Sequence, residues 1–486
     1  MHIVSYRGPG MAGGVSAALA RAWDTNLGSG TQWWHLKHHE LNVASGPDAP
    51  ANYVADIPAE VIEGHYRFCN EFLWPVMHDL AELARFVPQD YYYYQTFNHT
   101  LGWCILRAHA EDPQADFFVQ DYQMALLPQF MRANAGFRSV VFWHIPWPKS
   151  VREDHAPYVA AIARGLLNAQ ALGFHTEEYA ENFLNFVQQH CSEYGCDRES
   201  LVAYQKDSVQ PAFAAGGGYA LHNIRVGRQS SEMYRHATRM IVAPLGIDFD
   251  HWSSLSAQQD NTVWHPALVR TPFVLSVDRA DYTKGVSNRI RAVDRFFESH
   301  PEWIGKIVFA QVCGKTRAGL DPFENYWNES RALHHELTAR WSTDTWQPLL
   351  WIEKSFSTPE LALAYRTAAA MLVNPVRDGL NLTAKEYVAC QGKRPGVLVL
   401  SQGAGAWHEL GSHSVEARPD DSIQMADAIH QSLSMSSHER AWRMAILKER
   451  VRSNTLNKWW HRFDTLLERR IKQIPSRVVN YLRETS

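Results

Sequence analysis

Two basic residues five positions apart offer the clearest chemistry in the sequence. Arg279 and Lys284 lie within residues 277–285, directly after an apolar run at 272–276 that predicts a buried strand. A helical pattern follows at 286–300, so both cations belong to a strand-to-helix loop. Open α/β sheets bind ligands at such loops, and two cations beside a helix N-terminus suit a diphosphate. Taken alone, an exposed loop with two solvated charges explains the pair equally well.

A second loop carries residue types that suit a sugar. A strand-like run at 370–376 leads into a glycine-containing loop, and a helical pattern opens near Leu382. Free backbone N–H groups there would cap a sugar hydroxyl or a phosphate, and the helix dipole would add to the attraction. Asp378 would accept hydrogen bonds from sugar hydroxyls. Glu386, one turn into the helix, would accept hydrogen bonds from a ribose diol. The plainer alternative is a helix capped by Asn381, with Glu386 paired to a neighbouring lysine.

Polar residues also follow strand-like segments in the first half of the chain. A glycine-rich turn at 7–14 follows the first predicted strand, and its N–H groups could approach a phosphate. The turn matches neither the dinucleotide-binding fingerprint nor a P-loop, so this signal is weak. Asp121 follows the strand at 116–120, and His144 follows the strand at 138–143. Because parallel strands end at one edge of a sheet, both residues are expected in the same crevice.

The order of predicted elements favours an α/β fold of two Rossmann-like domains that face each other across a cleft. The first domain would span residues 1–253 and the second 271–455, with the polar segment 254–270 as the linker. Residues 191–235 predict a hairpin or an irregular excursion. Residues 456–486 predict helices that pack back on the first domain. The strands of the second domain are expected near 272–277, 306–313, 347–353, 370–376 and 396–401.

Composition excludes several classes of protein. The 486 residues are 45% hydrophobic and 20% charged, and the net charge of −4 favours neither nucleic acid nor an anionic membrane as a partner. No apolar run reaches the roughly 18 residues of a membrane span, and no signal segment opens the sequence. The six cysteines form no C-x-x-C pair, so we expect free thiols in a reducing cytoplasm. A homo-oligomer is left open.

Two segments resemble metal-binding patterns, but no metal is expected at either. Asp248 and Asp250 form a D-x-D after a turn, and we interpret this segment as a loop. His35, His38 and His39 are interpreted as solvated histidines, which are far commoner than zinc ligands.

Six short motifs occur in one order along the chain. They are Ala12-Gly13-Gly14, Trp74-Pro75, Asp121-Tyr122, His144-Ile145-Pro146, Arg279-x-Asp281-Tyr282-x-Lys284-Gly285 and Arg377-Asp378-Gly379-x-Asn381-Leu382-x-Ala384-Lys385-Glu386-Tyr387. Together they resemble the trehalose-phosphate synthase family of retaining glucosyltransferases, which includes the glucosylglycerol-phosphate synthases. The resemblance extends from about residue 3 to residue 465 and implies the two-Rossmann (GT-B) fold.

Carried over position by position, the resemblance implies a nucleotide-sugar site in the second domain. Arg279 and Lys284 would neutralise the diphosphate, Phe356 would border the base, and Glu386 would bind the ribose. Residues 378–382 would hold the transferred glucose. The other implied donor-binding residues are Gly13, Gly14, Asp378, Gly379, Leu380, Asn381 and Leu382.

The resemblance also implies an acceptor site on the opposite wall of the cleft. Asp121 and His144 would contact the donor and acceptor sugars, and Arg7 and Arg317 would grip the acceptor's phosphate. The implied acceptor-binding residues are Arg7, His65, Trp74, Asp121 and Arg317, and the implied catalytic residues are Asp121, His144, Arg279, Lys284 and Asp378.

The implied reaction needs no protein nucleophile, cofactor or metal. Departure of the nucleoside diphosphate leaves an oxocarbenium-like glucose, which the acceptor hydroxyl attacks from the same face. A leaving-phosphate oxygen takes the acceptor's proton. The protein would stabilise the developing charge on the diphosphate and orient the acceptor, a small phosphorylated molecule.

The acceptor wall departs from the trehalose-phosphate pattern. The family's Tyr-Tyr-Asn-Gly-Phe-Ser-Asn corresponds to residues 64–70, so the usual acceptor-phosphate tyrosine is His65, which can still donate to a phosphate. Residues 179–183 and 191–235 look more like the glucosylglycerol branch. Glucose 6-phosphate is the first expected acceptor, giving trehalose 6-phosphate. The alternatives are glycerol 3-phosphate or another phosphorylated polyol, a pseudo-glycosyltransferase that joins cyclitols, and a non-catalytic sugar-phosphate sensor.

Overall fold

The predicted α/β architecture is confirmed: two largely parallel sheets stand in sequence along the chain. The computed structural model describes residues 1–9, 11, 14–26, 31–46, 51–112, 115–199, 201–205, 237–257, 264–268 and 271–468. Among these residues, no helix is both long and apolar enough to cross a membrane.

The first sheet contains ten strands among the described residues. They are β1 (His2–Arg7), β2 (Trp33–Lys37), β3 (Glu40–Ala44), β4 (Asn52–Asp56), β5 (Asp116–Gln120), β6 (Arg138–Phe142), β7 (Ala171–Phe174), β8 (Tyr194–Asp197), β9 (Val202–Gln205) and β10 (Ala237–Val242). Their order is β4-β3-β2-β1-β5-β6-β7-β10-β9-β8. The six central strands, β2, β1, β5, β6, β7 and β10, pair in parallel. Strands β3 and β4 at one edge and β9 and β8 at the other pair antiparallel.

The second sheet has six strands among the described residues, and all of them pair in parallel. They are β11 (Phe273–Arg279), β12 (Val308–Gly314), β13 (Leu349–Ile352), β14 (Ala370–Val373), β15 (Val397–Ser401) and β16 (Val415–Ala417). Their order is β13-β12-β11-β14-β15-β16. Five of these strands were predicted, and only the short edge strand β16 was missed.

Helices cover both faces of each sheet, so successive residues of a central strand pack into different cores. Phe117 and Val119 of β5 belong to one core, whereas Phe118 between them belongs to another. This burial on both faces explains the continuous apolar runs of the central strands. The helices are α1 (Gly14–Asn26), α2 (Ala59–Arg67), α3 (Trp74–Met77), α4 (Pro88–Ala108), α5 (Leu127–Ala135), α6 (Ala156–Leu166), α7 (Glu177–His190), α8 (Phe249–Ala257), α9 (Val286–Ser299), α10 (Asp321–Trp341), α11 (Thr358–Thr367), α12 (Leu382–Cys390), α13 (Trp407–Leu410), α14 (Ser422–Ser434), α15 (Ser437–Ser453) and α16 (Leu456–Glu468).

A π-helical stretch at Phe68–Leu73 joins α2 to α3 without a break. A π-turn holds more residues than an α-turn, so side chains before and after it no longer share the α-helical register. Regular α-helical spacing therefore does not predict which side chains share a face across this segment.

Two segments cross between the sheets, and they touch each other. The first crossing follows β10 and the second precedes α16. The Leu456 N–H donates to the Ile247 carbonyl at 3.2 Å. Gly246 packs so closely on Thr455 that a β-carbon there would lie 2.3 Å from the Thr455 carbonyl carbon. Only glycine fits this approach.

Helix α16 returns to the first sheet after the second crossing. Trp459, Trp460 and Phe463 are buried against Phe118, and Trp459 and Phe463 also contact Phe142. Helix α16 thus packs on the first sheet through these three rings, and residues 469–486 lie outside the described part of the chain. The division into domains at 1–253 and 271–455 stays a prediction.

Three local predictions need correction. The D-x-D begins α8, where the Asp248 carboxylate accepts from the His251 N–H at 3.1 Å, so this segment is a helix start and not a loop. Helix α8 also extends into the predicted linker. His35 is buried in β2 and not solvated, whereas His38 and His39 are exposed. Strands β8 and β9 form the predicted hairpin within residues 191–205, and residues 206–236 lie outside the described residues.

Candidate active site

The loops at the carboxyl ends of both sheets meet along one cleft. A β-carbon on Gly379, in the loop after β14, would lie 2.0 Å from the His144 carbonyl oxygen after β6. The loop therefore approaches the first domain so closely only because residue 379 is glycine. Gly14, at the start of α1, faces the Leu382 side chain across the same cleft.

An ion pair joins the two loops that the sequence singled out. Lys284 Nζ lies 2.5 Å from Asp378 Oδ2, and both side chains are largely buried. Asn381 Nδ2 donates to the same carboxylate oxygen at 3.2 Å. Asn381 adopts a φ of 81° and caps α12 by accepting from the Ala384 N–H at 3.2 Å. The capping alternative is thus present, and the cap and the carboxylate belong to one network.

Asp281 is the centre of a second network on the neighbouring loop. Its carboxylate accepts from Arg317 at 2.5 Å and from the Thr283 N–H at 3.1 Å. The Trp74 indole N–H donates at 3.4 Å to Asp281 Oδ1, the oxygen that also accepts from Thr283. The Arg317 guanidinium stacks on the Trp74 ring, 4.0 Å from its centroid. Burial acts to raise the pKa of Asp281, but Arg317, Arg279 and Lys284 outweigh it and lower the pKa to about 2.

Three arginines come from three strand ends, and two of them, Arg317 and Arg7, lie close enough to the third, Arg279, to affect its pKa. Arg279 ends β11, Arg7 ends β1, and Arg317 follows β12. Arg279 reaches solvent along the cleft, yet the protein around it removes enough water to lower its pKa, and the positive charges of Arg317 and Arg7 lower it further. Such a concentration of positive charge is suited to phosphate groups.

Asp121 lies in the turn between β5 and a 3₁₀ turn at Tyr122–Met124. Its φ of 70° is unusual for a residue with a side chain, and such strain concentrates at functional sites. Burial raises its pKa to about 7, while hydrogen bonds from the backbone N–H groups of His144 and Tyr122 and the charge of Arg317 oppose the rise. The His144 N–H donates to Asp121 Oδ1 at 3.1 Å.

The His144 imidazole is neutral, because burial lowers its pKa to about 3. Its Nε2 lies 2.9 Å from Gln120 Oε1, and with the glutamine amide in this orientation the proton is on Nε2. The Nδ1 lone pair is buried without a hydrogen-bond partner among the described residues. It can therefore accept a hydrogen bond from a hydroxyl group of a ligand.

Glu386 lies on α12, one turn beyond the loop at 378–382. Its carboxylate accepts from the Tyr365 hydroxyl at 3.1 Å, and burial raises its pKa to about 7. It is not paired with Lys385, which bonds to Glu409 and to the Leu245 carbonyl. Phe356 lies in the loop before α11, against Trp264.

One predicted residue does not join the site, and another lies outside the described part of the chain. Gly13 lies outside the described residues. The prediction that His65 contacts the acceptor's phosphate is wrong, because its side chain is 0% exposed. The imidazole stacks between Tyr6 and Tyr94, and its Nε2 bonds to the Gln123 carbonyl at 3.0 Å. The assignment rested on the family motif alone, which does not show that the side chain of residue 65 faces the core.

Sequence reasoning missed two residues that hold the site in place. Asn70 Oδ1 accepts from Arg317 Nε at 2.5 Å and so fixes one edge of the guanidinium. The Tyr179 hydroxyl donates to the Asp378 carbonyl at 3.0 Å, across the cleft. Asn70 lies within the π-helical stretch, and Tyr179 is 199 residues from its partner, so no local pattern indicated either contact.

Comparison with known proteins adds a family to this geometry. The model of glycosyltransferase family 20 matches residues 38–469, well over half of the chain. The chain belongs to glycosyltransferase family 20. The predicted resemblance to the trehalose-phosphate synthase family is thereby confirmed, and the predicted enzyme class, a glycosyltransferase, agrees with it.

Relatives in family 20 match most of this chain. It is 31% identical over 411 residues to a bifunctional trehalose-6-phosphate synthase/phosphatase of Thermoproteus tenax, covering 83% of this chain but only 51% of that protein. It is 29% identical to the UDP-forming alpha,alpha-trehalose-phosphate synthase 2 of Aspergillus fumigatus, covering 83% of this chain and 80% of that protein. The chain thus spans about half the length of the first relative and most of the second.

Solved structures of family members share the fold. The UDP-forming alpha,alpha-trehalose-phosphate synthase of Burkholderia xenovorans, solved with glucose-6-phosphate, is 26% identical with a TM-score of 0.82, covering 96% of this chain and 99% of that one. An E. coli structure bound with UDP-2-fluoro glucose has the same TM-score at 24% identity, covering 96% and 98% of the two chains. The predicted GT-B architecture is confirmed.

Proposed function

We propose that this protein transfers glucose from UDP-glucose to glucose 6-phosphate and so forms trehalose 6-phosphate. The observation that carries the proposal is the gathering of Arg7, Arg279 and Arg317 beside the Lys284–Asp378 pair. A donor diphosphate and an acceptor phosphate both bring negative charge to one cleft, and this cluster supplies the matching positive charge. The names of the relatives supply the sugar and the nucleotide.

On the donor side, Arg279 and Lys284 neutralise the diphosphate. Asp378 and the N-terminus of α12 bind the glucose, and Glu386, one turn further along α12, binds the ribose. Phe356 borders the base. The 2.5 Å contact between Lys284 and Asp378 supports this assignment, because the residue proposed to bind the diphosphate lies next to the residue proposed to bind the glucose.

On the acceptor side, Arg7 and Arg317 bind the phosphate, with Trp74 behind the Arg317 guanidinium. Asp121 and the neutral His144 orient the hydroxyl groups of both sugars. The arrangement needs no protein nucleophile. The acceptor hydroxyl attacks from the face that the diphosphate leaves, a phosphate oxygen takes its proton, and Arg279 and Lys284 stabilise the charge on the leaving group.

One observation favours a second candidate acceptor. With His65 buried in the core, the acceptor wall lacks the tyrosine that the family uses at this position. A smaller phosphorylated polyol, such as glycerol 3-phosphate, needs fewer contacts on that wall. The same donor chemistry would then yield glucosylglycerol phosphate.

The reaction is proposed to proceed without a metal or cofactor, because the side chains of the cleft supply the charge that a cation would otherwise provide. We also place the protein in the cytoplasm, a proposal supported by its six cysteines, none of which forms a disulfide among the described residues. Its oligomeric state stays open.

The test combines UDP-, ADP- and GDP-glucose with glucose 6-phosphate and glycerol 3-phosphate in turn, with and without EDTA. Release of nucleoside diphosphate is measured, and the sugar product is identified by mass spectrometry. Release from UDP-glucose that depends on glucose 6-phosphate and resists EDTA is the expected result.

Release only with glycerol 3-phosphate would replace the proposed acceptor. Loss of activity in EDTA would overturn the metal-free scheme. Absence of release in every pair, with nucleotide binding retained, would favour a sugar-phosphate sensor.

A further inference from the structure

Arg377 precedes the proposed donor-sugar loop, yet its side chain contacts the first domain. Its Nη2 lies 2.6 Å from Glu178 Oε1, at the start of α7, and its Nε lies 3.3 Å from Asp79 Oδ2, after α3. Its guanidinium also lies over the Tyr179 ring, 5.2 Å from the centroid. Two carboxylates and an aromatic ring of one domain thus surround a cation of the other. We call these four residues the Arg377 clamp.

The clamp continues directly into the loop that follows Arg377. Tyr179, whose ring faces the guanidinium, donates its hydroxyl to the carbonyl of Asp378 at 3.0 Å. The Asp378 side chain holds Lys284. The contacts therefore run without a gap from the first domain to the ion pair at the centre of the cleft.

The ion pairs of the Arg377 clamp are partly shielded from water. The Arg377 side chain is only 18% exposed, whereas its two carboxylate partners are about 40% exposed. A partly buried guanidinium with two carboxylate partners is less screened by water than an ion pair on the surface. Asp79 is also held at a φ of 59°, a strained value for a residue with a side chain.

We propose that Arg377 is a positioning residue for glucosyl transfer. Through Glu178, Asp79 and Tyr179 it fixes the donor-sugar loop, residues 378–382, against the wall that carries His144. It touches neither the substrates nor the reacting atoms. The inference rests on the proposed function, because it assigns the donor glucose to that loop.

Arg340 provides a matched control. Its guanidinium pairs with Asp294 at 2.8 Å and with Glu298, and it lies over the Trp341 ring at 4.8 Å. It therefore has two carboxylates and an aromatic ring as partners, as Arg377 has, but all of them lie in the second domain. Arg340→Ala removes a comparable set of contacts without affecting the cleft.

The first measurement is steady-state kinetics of Arg377→Ala and Arg340→Ala with both substrates varied. Arg377→Ala should lower kcat by about tenfold or more, because a small displacement of the sugar costs much of the rate. Arg340→Ala should stay within about twofold of wild type. Equal kcat values in the two variants at a temperature where both are folded would overturn the inference.

A double-mutant cycle separates the clamp from a general loss of stability. Glu178→Gln keeps the size of the side chain and removes its charge. If Arg377 acts through Glu178, adding Glu178→Gln to Arg377→Ala should lower kcat less than it does in wild type. Fully additive losses would exclude Glu178 as the partner through which Arg377 acts.

Hydrogen exchange tests the same idea without turnover, so failure of the proposed function does not obscure it. Backbone amides of residues 378–382 should exchange faster in Arg377→Ala than in wild type. Their exchange rates in Arg340→Ala should equal those of wild type. If exchange in this loop is the same in all three proteins, the inference is wrong. If exchange rises but wild type transfers no glucose, the clamp stands and the proposed function fails.

Discussion

Lys284 and Asp378 are 94 residues apart in the sequence and 2.5 Å apart at the centre of the cleft. Their ion pair joins the loop after β11 to the loop after β14, which are adjacent strands of the second sheet. The charge of Lys284 is therefore balanced within the protein. Arg279 has the Asp281 carboxylate among its neighbours, but also the cations Arg317 and Arg7. Under the proposed function, a bound diphosphate would relieve the repulsion among these three arginines.

The first prediction is that Arg279→Ala abolishes transfer with every acceptor. The substitution removes the charge that stabilises the leaving diphosphate, and losses of 10²–10³ in kcat are typical for such groups, in order of magnitude about 3–4 kcal/mol. Release of nucleoside diphosphate at saturating substrates measures the effect. A rate within about threefold of wild type would show that Arg279 does not contact the diphosphate.

The second prediction concerns Asn70, whose amide oxygen holds Arg317 Nε. Asn70→Ala should raise the KM for the phosphorylated acceptor by about tenfold, the loss of one charge-assisted hydrogen bond, and leave the KM for the nucleotide sugar unchanged. Asn134→Ala is the control, because Asn134 bonds only within its own helix at the Phe130 carbonyl. A rise in both KM values would indicate a wider disturbance of the cleft.

The third prediction reverses what the family pattern suggested for His65. Restoring the tyrosine there should not improve the use of glucose 6-phosphate, because the position faces the core between Tyr6 and Tyr94. His65→Tyr should instead lower the free energy of unfolding by roughly 1–3 kcal/mol through overpacking. Thermal unfolding and acceptor KM measure the two effects. A lower KM for glucose 6-phosphate would place residue 65 at the acceptor after all.

The fourth prediction is a pH dependence that arises from Glu386. Burial raises its pKa from 4.5 to about 7, so the folded protein keeps this proton over a range where the unfolded chain has lost it. The stability that this carboxyl contributes therefore falls as the pH rises from about 4.5 to 7.

Glu386→Gln removes this titration and keeps an acceptor for Tyr365. The variant should match wild type in stability near pH 5 and exceed it at pH 8, by at most about 3 kcal/mol. Comparing the two proteins cancels the opposing titrations of the buried histidines. Thermal unfolding at both pH values measures the difference, and a difference that does not change with pH would contradict the prediction.

Sequence patterns sufficed for the elements that position the donor site. The apolar runs before Arg279 and Asp378 predicted β11 and β14, and the polar loops after them are where the ion pair forms. Such elements are predictable because a strand buried on both faces must be apolar along its length. The cap at Asn381 followed from the same local logic.

Contacts that depend on irregular or distant structure were not predictable. His65 was misplaced because the family motif on which the assignment relied does not show that this side chain faces the core, between Tyr6 and Tyr94. The bonds from Tyr179 to Asp378 and from Arg317 to Asn70 join different domains, and no periodicity within one segment encodes them. The acceptor wall consists largely of such contacts, whereas the donor wall is built from local loops.

The paired crossing at Gly246 and Thr455 has a mechanical consequence. A hinge absorbs a change in backbone dihedral angles over a few residues, and here two crossings between the domains are bonded to each other. Any relative movement of the domains must therefore pass through both crossings together. We expect Gly379 to separate from the His144 carbonyl only as far as this shared connection allows.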